Sequence, residues 1–173
     1  MSDRRARIVE ATLHVIGARG ADAVTHRAVA AEAGVPLAST TYYFASKEAL
    51  VREAFELTIE RSLALVAEHA ARRAGTAIDR LVALADAQLQ DADAPLAAQF
   101  ELMLEAGRRP ELRDLAAHWD REYRAALAAL VGDELDVDVV GYLLDGALIG
   151  QLSFPVEGFA EGPLRRLLER AGR

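Results

Sequence analysis

The sequence predicts an all-α protein of about nine helices, with a three-helix unit at the N-terminus joined to a larger helical bundle. Three observations predict this. Ala, Leu, Arg and Glu, all strong helix formers, dominate the chain. Apolar residues recur every three to four positions through most segments. Runs of valine and aromatic residues with the two-residue alternation of a strand are absent.

The first helix is expected over Asp3–Arg19, where Ile8, Val9, Thr12, Leu13, Val15 and Ile16 make an apolar stripe. Gly20 ends it, because glycine adopts a left-handed cap without a steric cost. Thr25 is placed to cap a short helix that ends at Ala33. Gly34 breaks that helix, and Val35-Pro36 restarts the chain into another, Leu37–Phe44, since a helix start needs no donor from proline. Ser46 caps a long helix from Lys47 to about Arg73, with Leu50, Ala54, Phe55, Thr58, Ile59, Ser62, Leu63 and Val66 along one side and Gly75 closing it. Five more helices follow, with rough spans 76–91, 95–107, 110–131, 136–153 and 163–171. Their breaks are Asp93-Ala94-Pro95, Gly107 to Pro110, Gly132-Asp133 and Pro155 to Pro163.

Composition excludes several function classes. With 52% hydrophobic residues the chain can build a core, yet charges interrupt every long segment, so no membrane span is expected. Arg4, Arg5 and Arg7 are not followed by the apolar stretch of a signal peptide, and the absence of cysteine removes disulfides and thiolate metal sites; a cytoplasmic protein is expected. The net charge of −7 is unevenly spread. Residues 1–52 hold seven Lys/Arg against five Asp/Glu, whereas residues 53–173 hold thirteen against twenty-two. A mildly basic head on an acidic body suits contact with phosphates at one end.

Two short helices joined by a glycine turn are the sequence sign of a helix-turn-helix. Val29 and Ala33 face inward, Ala30 is small where the helices cross, and Gly34 supplies the turn. The second helix crowds Ser39, Thr40, Thr41, Tyr42 and Tyr43 together. Such side chains bond phosphates or base edges and offer apolar faces to thymine methyls, and a helix of this size fits the major groove. Thr25 and Lys47 bracket it, and Arg27 can reach a phosphate or a guanine edge. With His26, Leu37 and Ala38 these form the candidate DNA-binding set. Periodicity alone equally allows a helical hairpin whose threonines and tyrosines make ordinary packing contacts.

The stretch Gly34–Leu50, GVPLASTTYYFASKEAL, resembles the recognition-helix signature of TetR-type regulators. Thr25-His26-Arg27 and Ala30-Ala31-Glu32-Ala33-Gly34-Val35 resemble that family's second helix, and the basic start, Ile8 and Gly20 its first, so the likeness covers about residues 4–55. Further on, Phe100–Arg113 (FELMLEAGRRPELR) is similar to a C-terminal variant of the family. The resemblance implies a DNA-binding domain over 1–52 and a regulatory and dimerisation domain over 53–173. It implies that Thr25 and Arg27 contact DNA from the second helix, that Tyr42 faces the backbone, and that Lys47 meets phosphate. Ser39 replaces a usual threonine, and Thr40-Thr41 and Pro36-Leu37 also depart from the common pattern. The implied function is a transcriptional repressor that binds a palindromic operator on double-stranded DNA as a homodimer and is released by a small-molecule effector. A constitutive DNA-binding regulator and a helical protein-interaction module are the alternatives.

Two-fold sites need two-fold proteins. The expected dimer interface uses Leu143, Leu144, Ala147, Leu148 and Gln151 of one helix with Leu164, Leu167 and Leu168 of the last, in a four-helix contact. Some of these leucines must also serve the monomer's own core. The candidate effector pocket draws on Phe100, Met103, Leu104, Trp119, Tyr123, Tyr142 and Phe154, with Gln99, His118 and Asp145 to orient a polar group. An enzyme is not expected. His14, His26, His69 and His118 form no zinc spacing, and Glu56/Glu60 and Glu101/Glu105 lack the histidine of a di-iron site. The Asp133, Glu134, Asp136, Asp138 cluster lacks the glycine and terminal glutamate of a calcium loop, and no phosphate loop or nucleophile elbow is present. No metal or cofactor is expected.

Overall fold

A computed structural model of the chain describes residues 3–72, 75–91 and 95–172, and within them nine α-helices. They are α1 (Asp3–Arg19), α2 (His26–Ala33), α3 (Leu37–Tyr43), α4 (Lys47–Ala71), α5 (Ala77–Gln90), α6 (Leu96–Arg108), α7 (Arg113–Val131), α8 (Val137–Ser153) and α9 (Arg165–Ala171). Short 3-10 turns at Ala21–Ala23 and Pro110–Leu112 lead into α2 and α7. The expected helices are all present, with ends that move by one to three residues. Arg73 and the Asp93-Ala94 part of the expected breaks lie outside the described residues. The largest difference is before α9. A π-helical turn, Ala160–Leu164, carries Pro163 inside it, two residues ahead of α9. Proline offers no N–H, and the Leu164 amide reaches back five residues to Phe159 O at 3.0 Å. Among the described residues no helix is long and apolar enough to cross a membrane.

The helices gather into two compact units, Met1–Arg61 with Asp91–Ala117, and Ser62–Gln90 with His118–Arg173. The first unit therefore ends within α4, beyond the sequence-based boundary at 52, and takes in α6. Its core is the α1 stripe (Ile8, Val9, Leu13, Val15, Ile16) against Val29, Phe44, Leu50, Phe55, Ala98 and Leu102. Gly17 lets α6 approach α1, since a Cβ there would stand 3.2 Å from Pro95 and 3.4 Å from Ala98. Thr12 is fully buried on the stripe and satisfies its hydroxyl on Ile8 O at 2.8 Å. At the rim Arg5 pairs with Glu53 and Arg61 with Glu10.

In the second unit, Leu81, Leu84 and Ala85 of α5 are buried with Trp119, Tyr123, Leu127 and Leu130 of α7, Leu144 and Leu148 of α8, and Leu168 of α9. Arg80 of α5 donates from Nε and Nη2 to Leu130 O at 3.1 and 2.9 Å, which satisfies a carbonyl at the C-terminal end of α7. Asp79 of α5 accepts from Arg165 of α9 at 2.8 Å. Its carboxyl is held down at about 2, first by the Thr76 backbone amide and then by Arg165.

Candidate nucleic-acid interface

The α2–α3 pair is built by its caps. Thr25 is extended (φ −140°) and its Oγ1 accepts the Ala28 amide at 3.0 Å. Gly34 closes α2 at φ 60°, ψ 42°, and the Val35 amide reaches back to Ala30 O at 3.0 Å. Arg7 adds a side-chain cap from α1, donating to Ala33 O at 2.7 Å. The turn orients a seven-residue α3 that has one inward and one outward side.

Thr40 takes the inward side. It is 0% exposed; its Oγ1 donates to Leu37 O at 2.8 Å and stands 3.2 Å from His26 Nδ1. Thr40 was expected among the DNA-binding residues, and this is a correction. Its hydroxyl ties α3 to α2 and has no path outward. His26, half-buried, is its partner in that tie.

Leu37, Ala38, Thr41 and Tyr42 make the outward side, and Tyr42 is 81% exposed. Ser39 and Tyr43 are half-buried beside them. The Tyr42 and Tyr43 rings meet edge to face at 5.0 Å, which gives the outer phenol a rigid base. Thr25 and Arg27 are exposed on the N-terminal turn of α2. Lys47 begins α4, where its Nζ donates to Asp22 O at 3.2 Å and stands 3.7 Å from the Asp22 carboxylate. Arg109 also faces that carboxylate, at 3.6 Å, while gripping the buried Glu105 of α6. Asp22 thus shares its charge between two cations, an arrangement invisible in the sequence because the three residues are far apart in the chain.

The other expected sites are distributed as follows. On α6, Phe100 is buried, Met103 half-buried and Leu104 exposed. In the second unit Trp119 and Tyr123 are buried side by side, with ring centroids 5.3 Å apart. Tyr142 and Phe154 stand on the surface, 69% and 79% exposed, so they do not line the interior of their unit. Gln99 is buried, Asp145 half-buried and His118 exposed. Of the expected interface residues, Leu144, Leu148, Leu164 and Leu168 are buried within their own chain. They pack the second unit's core and offer nothing to a partner, which corrects their placement. Leu143, Ala147 and Gln151 are half-buried and Leu167 is exposed. Among the residues α8 turns outward are Val139, Tyr142, Gly146, Ile149 and Leu152, at three- and four-residue spacing.

Two polar residues escaped the pocket set. Ser62 Oγ and Gln88 Oε1 are buried without a hydrogen-bond partner, as is Trp119 Nε1. A glutamine four residues after Leu84 and seven after Leu81, on the apolar stripe of α5, is the sequence signal that could have found Gln88.

Comparison with known proteins agrees along the chain. Residues 8–54 match the family described as bacterial regulatory proteins, tetR family, and residues 72–173 match that described as tetracyclin repressor-like, C-terminal domain. The chain is 33% identical over 147 residues to the HTH-type transcriptional regulator BetI of Agrobacterium fabrum, covering 83% of this chain and 71% of that one. A solved TetR-family member of Streptomyces coelicolor A3 superposes with TM-score 0.78 at 33% identity and 99% coverage of both chains. The multidrug binding protein EbrR complexed with ethidium superposes with TM-score 0.72 at 33% identity, again over 99% of both chains.

Proposed function

The chain belongs to the TetR family of transcriptional regulators, and from that we propose that it is a repressor that binds a palindromic operator as a homodimer and releases it when a small molecule enters the second unit. Family membership makes it a DNA-binding regulator and not an enzyme. The observation that carries the DNA reading is the outward side of α3, where Leu37, Ala38, Thr41 and Tyr42 are solvent-facing beside the exposed Thr25 and Arg27 of α2. Thr41 and Tyr42 offer hydroxyls, and Leu37 and Ala38 offer apolar contact for thymine methyls. Thr25, Tyr42, Tyr43 and Lys47 are the phosphate-side contacts that set register, with Ser39 reaching the groove from the half-buried flank. This reading places the chain in the cytoplasm.

Homodimerisation is supported by the outward residues of α8. Val139, Tyr142 and Ile149 are large apolar groups left exposed by their own chain, with Leu167 of α9 likewise exposed. Four helices, two from each protomer, bury them. Such a dimer sets its two recognition helices about 34–36 Å apart, or a multiple of that.

Release by an effector is supported by Ser62, Gln88 and Trp119, whose buried polar atoms lack partners. A buried group left unpaired costs about 1–3 kcal/mol, a cost that an ordered water or a ligand removes. EbrR, similar over the full length, is solved with ethidium. Selection of bound duplexes from a random pool tests the DNA reading: a two-fold symmetric site is expected, and recovery of an asymmetric site or of no consensus overturns it.

A further inference from the structure

We propose that Asp22 is an affinity-limiting residue of the DNA interface, an anion of the chain itself that competes with the DNA backbone for Lys47, and that Arg109 is the positioning residue that holds Asp22 back. This rests on the DNA reading above, in which Lys47 meets phosphate. Asp22 lies in the 3-10 turn Ala21–Ala23, three residues ahead of the Thr25 cap of α2. Its side chain is 96% exposed. Lys47 Nζ stands 3.7 Å from its carboxylate and donates to its backbone carbonyl at 3.2 Å. From the other side Arg109, at the end of α6, brings Nη2 to 3.6 Å from the same carboxylate. The Arg109 Nε is fixed on Glu105, which is buried. One exposed anion thus sits between the cation meant for DNA and a cation anchored on a buried acid.

The ammonium of Lys47 has three N–H groups. The Asp22 carbonyl takes one, and a phosphate takes another in place of the carboxylate. An ion pair this exposed is worth little, so the exchange itself is easy. What remains is repulsion. A phosphate oxygen bonded to Nζ lies about 2.8 Å from it. The carboxylate is then no more than about 7 Å from that phosphate, inside the Debye length of about 8 Å at physiological salt. No base takes part, so the cost falls on every duplex alike. Arg109 reduces it, because its planar fork holds Glu105 with one nitrogen and Asp22 with another. Glu48 is the other acid in the field of these cations. Its carboxyl is held below the ordinary range first by its own backbone amide and by Ser46, with Arg109 and Lys47 adding less. Asp22 is therefore the acid that answers to the two cations.

The full-length protein is titrated with the selected operator and with a random duplex of equal length, from about 50 to about 200 mM salt. Asp22→Asn keeps the backbone carbonyl that orients Lys47. It is expected to tighten both duplexes by the same factor, about threefold or more at the low-salt end, with a gain that shrinks as salt rises. Arg109→Lys preserves the net charge and a cation for Glu105 but has no second nitrogen for Asp22. It should weaken both duplexes about threefold, and adding Asp22→Asn should abolish that loss. A merely structural role for Arg109 would leave the loss in place. Thermal midpoints check that the variants fold, and Asp22→Asn decides the first claim whatever Arg109→Lys does. Unchanged or weaker binding by Asp22→Asn, or tightening of the operator alone, overturns the proposal. A loss from Arg109→Lys that persists beside Asp22→Asn overturns the role of Arg109. Lys47→Ala separates this proposal from the reading beneath it. If it leaves both duplexes at native affinity, the phosphate contact itself fails; a loss from Lys47→Ala with no gain from Asp22→Asn removes this proposal alone.

Discussion

Thr40 and Tyr42 are two residues apart on α3 and similar in kind, yet one is fully buried and the other 81% exposed. A seven-residue helix rotates 200° over that interval, so adjacent hydroxyl groups do opposite jobs. Thr40→Val keeps the volume and removes the tie to His26, and should cost about 1 kcal/mol in chemical denaturation. Tyr42→Phe and Arg27→Ala should leave stability unchanged and weaken the selected operator, Arg27→Ala by about 1–3 kcal/mol in a binding titration. Lys47→Ala should weaken binding to every duplex alike and flatten the salt dependence by about one unit of slope. The sequence identified this cluster by residue type and spacing. It could not orient it, because five consecutive hydroxyl and aromatic residues carry no apolar phase. Arg109 and Asp22 were invisible for a different reason: their pairing is created by the fold, across more than eighty residues.

At the scale of elements, the turn between α2 and α3 is the clearest case of sequence dictating geometry. Gly34 sits at φ 60° with its nearest outside atom, Arg7 Nη2, 3.6 Å from where a Cβ would be. Space is therefore not the obstacle, and backbone conformation alone sets the penalty. Gly34→Ala should destabilise the chain by about 1 kcal/mol, while Gly107→Ala, inside α6 with nothing near its Cβ, should stabilise it by up to about 1 kcal/mol. Denaturant midpoints of the two variants check the sign. The α5–α9 tie brings a pH dependence. Asp79 is held at about 2, below its ordinary 3.8, so the folded state binds its proton less readily than the unfolded one. The stabilisation is complete above 3.8 and is lost as pH falls through about 2. Asp79→Asn should remove that segment of the acid-unfolding curve. Helix ends were legible wherever a glycine or a capping hydroxyl marked them. The stretch before α9 was not, because Pro163 reads as a break and the structure absorbs it in a wider turn.

For the whole molecule, composition and three- and four-residue periodicity were enough to give an all-helical chain, and the resemblance over residues 4–55 placed its functional head at the N-terminus. They could not say which leucines of α8 and α9 face their own core, since both sides of α8 are apolar. The structure separates them: Leu144, Leu148, Leu164 and Leu168 turn in, and Val139, Tyr142, Ile149 and Leu167 turn out. Tyr142→Arg combined with Ile149→Arg should therefore yield folded monomer by sedimentation at micromolar concentration and lose operator binding. The same substitution at Leu144 should unfold the second unit instead. The outward residues of α8 also bear on dosage. When pairing precedes binding, the amount of competent protein below the pairing constant rises with the square of the amount of chain, so halving the chain at cell division lowers it about fourfold. On the proposed reading, a gene silenced by such a dimer feels a loss of chain as its square, so dilution works alongside chemistry in freeing it.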